Sequence, residues 1–465
     1  MQKLDLLDEN QGVTKTILLL AWPTIAEQVL LTFVNYIDTA MVGSLGAVAT
    51  AAISINASTI WLVNGLLSSL AIGFGVLVSK NIGAKNFDRV SSSANQGLFA
   101  AAFFGLCIFL MMLFVGPRLP FWLNADESVI LGSQEYIKWI TIAFIPQSLM
   151  IISSGIFRAV GNTKTPFIVN ILNNFINVFL NIFLIFPSRE MTIFNTNVYL
   201  KRANLGVKGA AIATCISISI SALIMIILLL KNKDLTINLK KLNPLKMNWD
   251  INKKASILAL PNAFERLSLT IGQIFLTAIV ANLGTTALAA HYLAIQAESI
   301  TYMPTFGFAS AATTLVAQAL GGSKKELAKK YARNSLIMGT TVMSIAGIFL
   351  FIFSTNLVGF FTNDLQVITS GSHLLRIVAI CEPFFGLSMM VFGILRGSGD
   401  TKRPFVISII GMWIVRLPLA YYFVNYTEFA LNGAWVAMTL DLTVRGLVSY
   451  AIFKKGKFFD RESVI

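Results

Sequence analysis

The chain is written twice. Residues from Pro23 to Phe167 recur as Pro261 to Phe405 at a constant offset of 238, and the shared letters fall where change is structurally expensive. Pro23 and Glu27 return as Pro261 and Glu265; Leu45, Gly46, Ala49, Ala51 and Ala52 return as Leu283, Gly284, Ala287, Ala289 and Ala290. The copy closes on its clearest match. Gly155, Arg158, Gly161, Thr163, Lys164, Pro166 and Phe167 return as Gly393, Arg396, Gly399, Thr401, Lys402, Pro404 and Phe405, with Asp400 in place of Asn162. A duplication that holds register over about 145 residues, loops included, means two structurally equivalent halves, a build common among membrane transporters.

Hydrophobic residues make up 55% of the 465 residues and charged residues 12%, against roughly 25% charged in soluble domains. The apolar letters form twelve blocks near or above the ~20 residues a bilayer-crossing helix needs. They run over 15–43, 50–79, 90–115, 128–157, 164–186, 206–230, 254–281, 288–318, 330–355, 367–395, 403–426 and 431–453. Barrel strands would alternate apolar and polar letters, and these blocks do not. The expected fold is an all-α integral membrane protein of twelve transmembrane helices. Six spans per half is an even number, so both halves enter from the same side, as two lobes related by a pseudo-two-fold along the membrane normal. The expected units are an N-terminal lobe at 1–230, a lysine-rich linker at 231–253 and a C-terminal lobe at 254–465, with a cleft between the lobes.

The net charge of +14 raises nucleic acid as a partner, and its placement argues against it. Only Arg118, Arg189, Lys201, Arg202 and Lys208 fall in odd-numbered loops and a few basic residues inside spans; the rest lie in the N-terminus, the even loops and the C-terminal tail. That bias orients the chain with both termini in the cytoplasm, as a multi-pass protein of the cytoplasmic membrane. No signal peptide is evident, because Asp5, Asp8 and Glu9 interrupt the first residues. Cys107, Cys215 and Cys381 sit in apolar spans at unrelated spacings and imply neither a disulfide framework nor a metal site.

Polar groups inside a span are costly and are therefore functional candidates. In the first span Glu27 and Asp38 are eleven residues apart, within about 20° of one helix face, and Asn35 shares that side. Asp38 has no basic residue in its own span to neutralise it and is the leading candidate for ion coupling. Glu27 and Glu265 each follow a proline by four residues, so a local structural role competes with a place in the substrate path; Gln273 lies two turns beyond Glu265. Asn170, Asn174, Asn177 and Asn181 line one face of the fifth span over about 16 Å. Their counterparts Ser408, Met412, Val415 and Leu419 are mostly apolar, so the stripe belongs to the first lobe alone. Helix-to-helix hydrogen bonding and an oxygen-rich wall for a cation or water both fit it. Glu298 and His291 share a face of the eighth span where the first lobe has Ile60 and Ile53; Glu298 reads as a substrate or proton group and His291 as structural. Glu382 reads either by the same logic as Glu298 or, because it precedes Pro383, as a group tied to a local kink; Asp441 and Arg445 form an i, i+4 ion pair, and Arg416 has no evident partner. The paired segments GIFRAVGNTKTPF and GILRGSGDTKRPF read as re-entry turns, with Pro in the first turn of the next helix. Neither has the spacing of a phosphate-binding loop.

These residues carry a resemblance. With its paired FRAVGNTKTP and LRGSGDTKRP turns, DTAMVGSLG at the end of the first span and ESITYMPTFGFASAATTLVAQALGG through the eighth, the chain resembles the multidrug and toxic compound extrusion (MATE) family over essentially its whole length. The resemblance implies a V-shaped pair of six-helix lobes and antiport of cationic, amphipathic organic compounds against H⁺ or Na⁺ by alternating access. It implies no catalytic residues and no cofactor beyond the coupling ion, and a monomer is expected. It assigns the coupling site to Asp38, Asn177, Asn181 and Thr214, with Glu27, Asn35, Asn170, Asn174, Glu265, Gln273 and Glu298 along the substrate path. The pattern is nearer the DinF-like branches with an N-terminal-lobe cation site than the NorM branch, whose tenth-helix acid aligns with Phe385. Asn181 stands where the family commonly has an aspartate, and a site with one carboxylate favours H⁺ over Na⁺. Two other classes are weighed against this one. A lipid-linked oligosaccharide or lipid flippase of the same superfamily would need several cations in the cleft, where the sequence suggests mainly acids and amides. A membrane-embedded enzyme would need a catalytic constellation that the motifs do not supply.

Overall fold

A backbone inside hydrocarbon must satisfy its N–H and C=O groups within its own segment, and long continuous helices are how this chain does so. In a computed structural model the described residues are 6–8, 12–193, 196–200, 202–232 and 247–460, without the side chains of 35, 36, 39, 47 and 189–200. The first lobe contains α1 (Val13–Gly43), α2 (Ala47–Gly83), α3 (Phe87–Val115), the one-turn α4 (Leu119–Trp122), α5 (Glu127–Ala159), α6 (Lys164–Leu184) and α7 (Gly206–Lys231). The second contains α8 (Trp249–Ala281), α9 (Thr285–Gly321), α10 (Lys325–Ile352), the short α11 (Ser354–Gly359), α12 (Leu365–Ala379), α13 (Glu382–Ser398), α14 (Lys402–Ile409), α15 (Leu417–Tyr426) and α16 (Ala430–Lys455). Among the described residues ten helical segments are long and apolar enough to span a membrane, and α12 with α13 makes an eleventh, bent by 55°. The twelfth is α9. It is 37 residues long and carries buried His291, Glu298, Thr301, Thr305, Thr314 and Gln318, polarity that its interior position shelters from lipid.

The repeat is a repeat of structure. α2 and α9 begin and end at residues related by 238. Each is preceded by a glycine with positive φ, +107° at Gly46 and +99° at Gly284, a backbone state that side chains other than glycine's resist. The re-entry turns use Gly161 at +85° and Gly399 at +95° in the same way. Three departures separate the lobes. The continuous α5 is answered by the broken pair α12 and α13, with Glu382 and Pro383 opening α13. The regular α6 is answered by α14 and α15 joined through a π-helical segment, Ile410–Arg416. And α6 and α7 are joined by an antiparallel hairpin, β1 (Arg189–Ile193) with β2 (Thr196–Leu200), which the second lobe lacks at its short Thr427–Phe429 connection. This hairpin is the one addition to the all-α expectation among the described residues.

The lobes meet at the end of the bundle that holds both termini. Ile17, Leu20 and Ala21 of α1 belong to one apolar core with Phe308 to Ala319 of α9, Leu327 to Leu336 of α10 and Met390 to Leu395 of α13. The ends of α2 and α9 cross so closely that a Cβ on Gly83 would collide with the Gln318 carbonyl, and one on Gly321 with that of Lys80. Cross-lobe hydrogen bonds gather at this end too. Gln318 Nε2 donates to Ala159 O at 2.7 Å, Lys80 Nζ to Ser398 O at 3.2 Å, Asn252 Nδ2 to Gln96 Oε1 at 2.7 Å and Tyr331 OH to Leu6 O at 2.9 Å.

Candidate coupling site and central cavity

Two acids on α1 meet two asparagines on α6 at one register. Asn170 Nδ2 donates to Glu27 Oε1 at 2.9 Å and Asn181 Nδ2 to Asp38 Oδ1 at 2.9 Å, both across a separation of 143 residues. The helices therefore form a parallel ladder whose rungs are about 16 Å apart. Asn174 and Asn177 are buried between the rungs.

The inner rung has a twin in the second lobe. Arg158 Nη2 donates to Glu27 at 2.7 Å, and Arg396 Nη2 donates to Glu265 at 2.9 Å. Ser408 Oγ, the repeat partner of Asn170, donates to Glu265 Oε1 at 2.9 Å, and Arg396 Nε donates to Asn262 Oδ1 at 2.7 Å. In each lobe an arginine at the re-entry turn is thus anchored on the first helix just past its proline. A buried ion pair between neighbouring helices is a device that holds geometry, and its repetition in both lobes fits Glu27 and Glu265 to the shared fold, although Glu27 Oε2 and Arg158 Nε have no hydrogen-bond partner among the described residues.

The outer rung has no twin. The counterpart of Asp38 is Leu276, 1% exposed in an apolar core. Around Asp38 the first lobe gathers Asn181, Asn177, Thr214 and Tyr136; Asn177 and Asn181 are buried, and no basic residue pairs with Asp38 among the described residues. The Asn177 amide lies 3.1 and 3.2 Å from the two Asp38 oxygens. With its nitrogen on that side it donates to Asp38 and its oxygen accepts from Thr214 Oγ1 at 3.2 Å; with its oxygen there, Asn181 Nδ2 donates to both groups, at 2.9 Å to Asp38 Oδ1 and 3.1 Å to Asn177 Oδ1. Thr214 Oγ1 is fixed by its bond to Ala210 O at 3.0 Å. Asp38, Asn177, Asn181 and Thr214 do come together. Tyr136, on α5, escaped the sequence reading; its repeat partner is Leu374, the same kind of asymmetry that singled out Asp38.

The other candidates lie apart from this cluster. Asn35 is on α1, its side chain outside the described set, and Gln273 is half-buried on α8. Glu298 is buried on α9 within electrostatic reach of Glu382 and Arg416. His291 Nδ1 accepts from Trp435 Nε1 at 3.0 Å, a packing role. Phe385, where the NorM branch carries an acid, packs edge-on against Tyr302 with centroids 5.9 Å apart. Arg416, which had no evident partner in the sequence, does have one: its Nε donates to Asp441 Oδ2 at 2.8 Å, while Arg445 Nε reaches Asp441 Oδ1 at 2.5 Å. Gly411 in the π segment admits this cluster, since a Cβ there would collide with Asp441 and Arg445.

Between the lobes lies a cavity of about 220 Å³ lined by residues of α1, α2, α5, α8, α9 and α13, among them Gln28, Thr24, Arg158, Arg266, Phe306, Ser310, Thr313 and Arg396. A cleft of mainly acids and amides was the expectation, and the cavity corrects it. No carboxylate lines the wall, because Glu27 and Glu265 are turned into ion pairs, and three arginines do. Sequence reasoning passed over Arg266, although its repeat partner, Gln28, lines the same cavity.

Comparison with known proteins agrees with this architecture. The MatE family model matches residues 23–183 and again 261–422, once per lobe. A probable multidrug resistance protein NorM of Thermotoga maritima is 30% identical over 454 residues, 98% of this chain and 95% of that protein. The uncharacterized transporter YisQ of Bacillus subtilis is 27% identical over 93% of this chain and 92% of its own length. Among solved structures, an outward-facing multidrug resistance MATE family transporter superposes with a TM-score of 0.89 at 20% identity, over 98% of each chain. A transporter structure from Pyrococcus furiosus does so with 0.89 at 20% identity and 99% coverage of each, a likeness of fold. With both lobes matched by the family model, the chain belongs to the MATE family of membrane transporters.

Proposed function

We propose that the protein is a multidrug efflux antiporter of the cytoplasmic membrane, with both termini in the cytoplasm, and that Asp38 is its coupling group. The observation that carries the coupling assignment is the asymmetry of the α1–α6 ladder: the inner rung is duplicated in the second lobe and the outer rung is not. A half-buried carboxylate with amide neighbours and no basic partner gains or loses a charge at modest cost, and each such change alters how α1 is held against α6. The lobes packed together at the terminal end describe one of two access states, closed to the cytoplasm, and cargo enters the cavity between them. Ion binding at Asp38 and cargo binding in the cavity then favour opposite states, which is the reciprocity that antiport requires.

The coupling ion in this reading is H⁺. A hard cation calls for several oxygen ligands, whereas Asp38 is the only carboxylate in its cluster and the Asn181 amide presents a donor to it. The flippase reading gains one point, the three arginines of the cavity, and loses it again because Glu27 and Glu265 neutralise two of them, leaving too little charge for a pyrophosphate. Organic cations were the cargo that the resemblance implied; the cavity wall supports small amphipathic organic compounds more broadly.

The decisive experiment is dye export in everted vesicles with Na⁺ and pH gradients imposed separately. Asp38→Asn is expected to insert at wild-type level and to lose gradient-driven export at least 10-fold. Export that survives the substitution would sink the coupling assignment.

A further inference from the structure

We propose that the cavity between the lobes holds an anionic group of the cargo, a carboxylate, with Arg266 of α8 as its anchor. The proposal rests on the reading of this cavity as the cargo path and gives that cargo a chemical class.

The wall contains three guanidinium groups and no carboxylate. Arg158 is committed to Glu27 at 2.7 Å and Arg396 to Glu265 at 2.9 Å, so these two add little net field. Arg266 makes no ion pair among the described residues and is exposed to the cavity, and its stem runs beside Gly65 of α2, where no side chain intervenes. Arginine keeps its proton under all ordinary conditions, so inside a membrane span its charge has to be met by water, by a fixed counter-ion or by a ligand. Glu265 lies within electrostatic reach of Arg266 but is already paired with Arg396, so the three guanidinium groups of the wall share two carboxylates.

The repeat sharpens the point. The residue equivalent to Arg266 in the first lobe is Gln28, which lines the same cavity from the other side. A neutral amide therefore suffices for the shared architecture, and the second lobe has a permanent cation in its place. A bare organic cation in this cavity would face unbalanced positive charge. A carboxylate can take two parallel N–H···O bonds from the guanidinium fork, a further bond from the Ser310 hydroxyl, and apolar contact for its body from Ile72 and Phe306.

Two xanthene dyes that differ in one group test this: tetramethylrhodamine with a free carboxylate, and its methyl ester, a cation of nearly the same size. Binding of each to purified full-length protein is read by fluorescence anisotropy for wild type, R266Q and R266K. Wild type is expected to favour the acid over the ester by on the order of 10-fold, the range of a charge-assisted hydrogen bond. The preference should collapse in R266Q and persist in R266K. A wild-type protein that binds the ester as well as the acid, or better, overturns the proposal without reference to any variant, and so does a preference that survives R266Q. Export of the ester by wild-type vesicles separates the two levels of inference. Intact export without an acid preference removes only the anionic site, whereas failure to export either dye removes the cargo path and this proposal with it.

Discussion

Asp441 anchors two arginines in the interior of the second lobe. It is fully buried and accepts from both Arg416 and Arg445, so two cations in the membrane interior share one hydrogen-bonded counter-ion, with Glu298 in electrostatic reach of Arg416. Breaking a buried pair by removing one partner costs about 3–5 kcal/mol, because the other charge is left unmet. Asp441→Asn leaves two charges unmet and Arg416→Met leaves none, since Asp441 keeps Arg445. The expected order of thermal midpoints in detergent is therefore wild type, then Arg416→Met, then Asp441→Asn well below both. Equal midpoints for the two variants would show that Arg416 has another counter-ion. Polar groups inside this protein thus divide into those held in ion pairs, such as Asp441, Glu27 and Glu265, and those without a basic partner among the described residues, such as Asp38.

At the scale of elements, the ladder between α1 and α6 shows both what the sequence reveals and what it withholds. Spacing along one helix is fixed by 3.6 residues per turn, so the common face of Glu27 and Asp38 and the asparagine stripe could be read directly. Which helix each face meets depends on rotations and crossings that no single helix encodes. That is why Asn170 parted from Asn181 to join a structural triad, why the partner of Arg416 was invisible, and why Arg266 and Tyr136 went unremarked. Comparing the copies recovers part of the loss: Gln28 against Arg266 and Leu374 against Tyr136 are asymmetries of the same kind as Leu276 against Asp38. The ladder also makes a prediction about ion choice. Asn181→Asp places a second carboxylate on the outer rung, where the present amide bonds Asp38 at 2.9 Å. Two carboxylates at that distance repel unless a proton or a cation lies between them, so Na⁺ should raise the thermal midpoint of this variant in a saturable way while leaving wild type unmoved. Absence of a Na⁺ effect in Asn181→Asp would show that a proton shared between the two carboxylates, not a metal cation, relieves the repulsion.

For the whole molecule, transport requires two lobes that can rock against each other, and the repeat shows where the rocking is restrained. Gly83 and Gly321 are the same position in the two copies, and each lies against the other lobe's backbone where α2 and α9 cross. The crossing is tight because neither residue has a side chain, and around it lie the Gln318, Lys80 and Tyr331 hydrogen bonds between the lobes or onto the N-terminal segment. A large side chain at either glycine cannot be absorbed by a rotamer change, because the obstruction is backbone. The lobes must separate at this end. Gly83→Leu should therefore lower export at least 10-fold and shift the population toward the state open at the termini. Thr314 provides the gauge: it is 6% exposed, with its hydroxyl donating to Arg158 O at 3.3 Å across the interface. On a background lacking the three native cysteines, Thr314→Cys should resist an impermeant maleimide added from the side of the termini and become several-fold more reactive once Gly83→Leu is added. Gly321→Leu should do the same, since the two positions meet at one crossing. Unchanged labelling in both would mean that the crossing is not what holds this end shut.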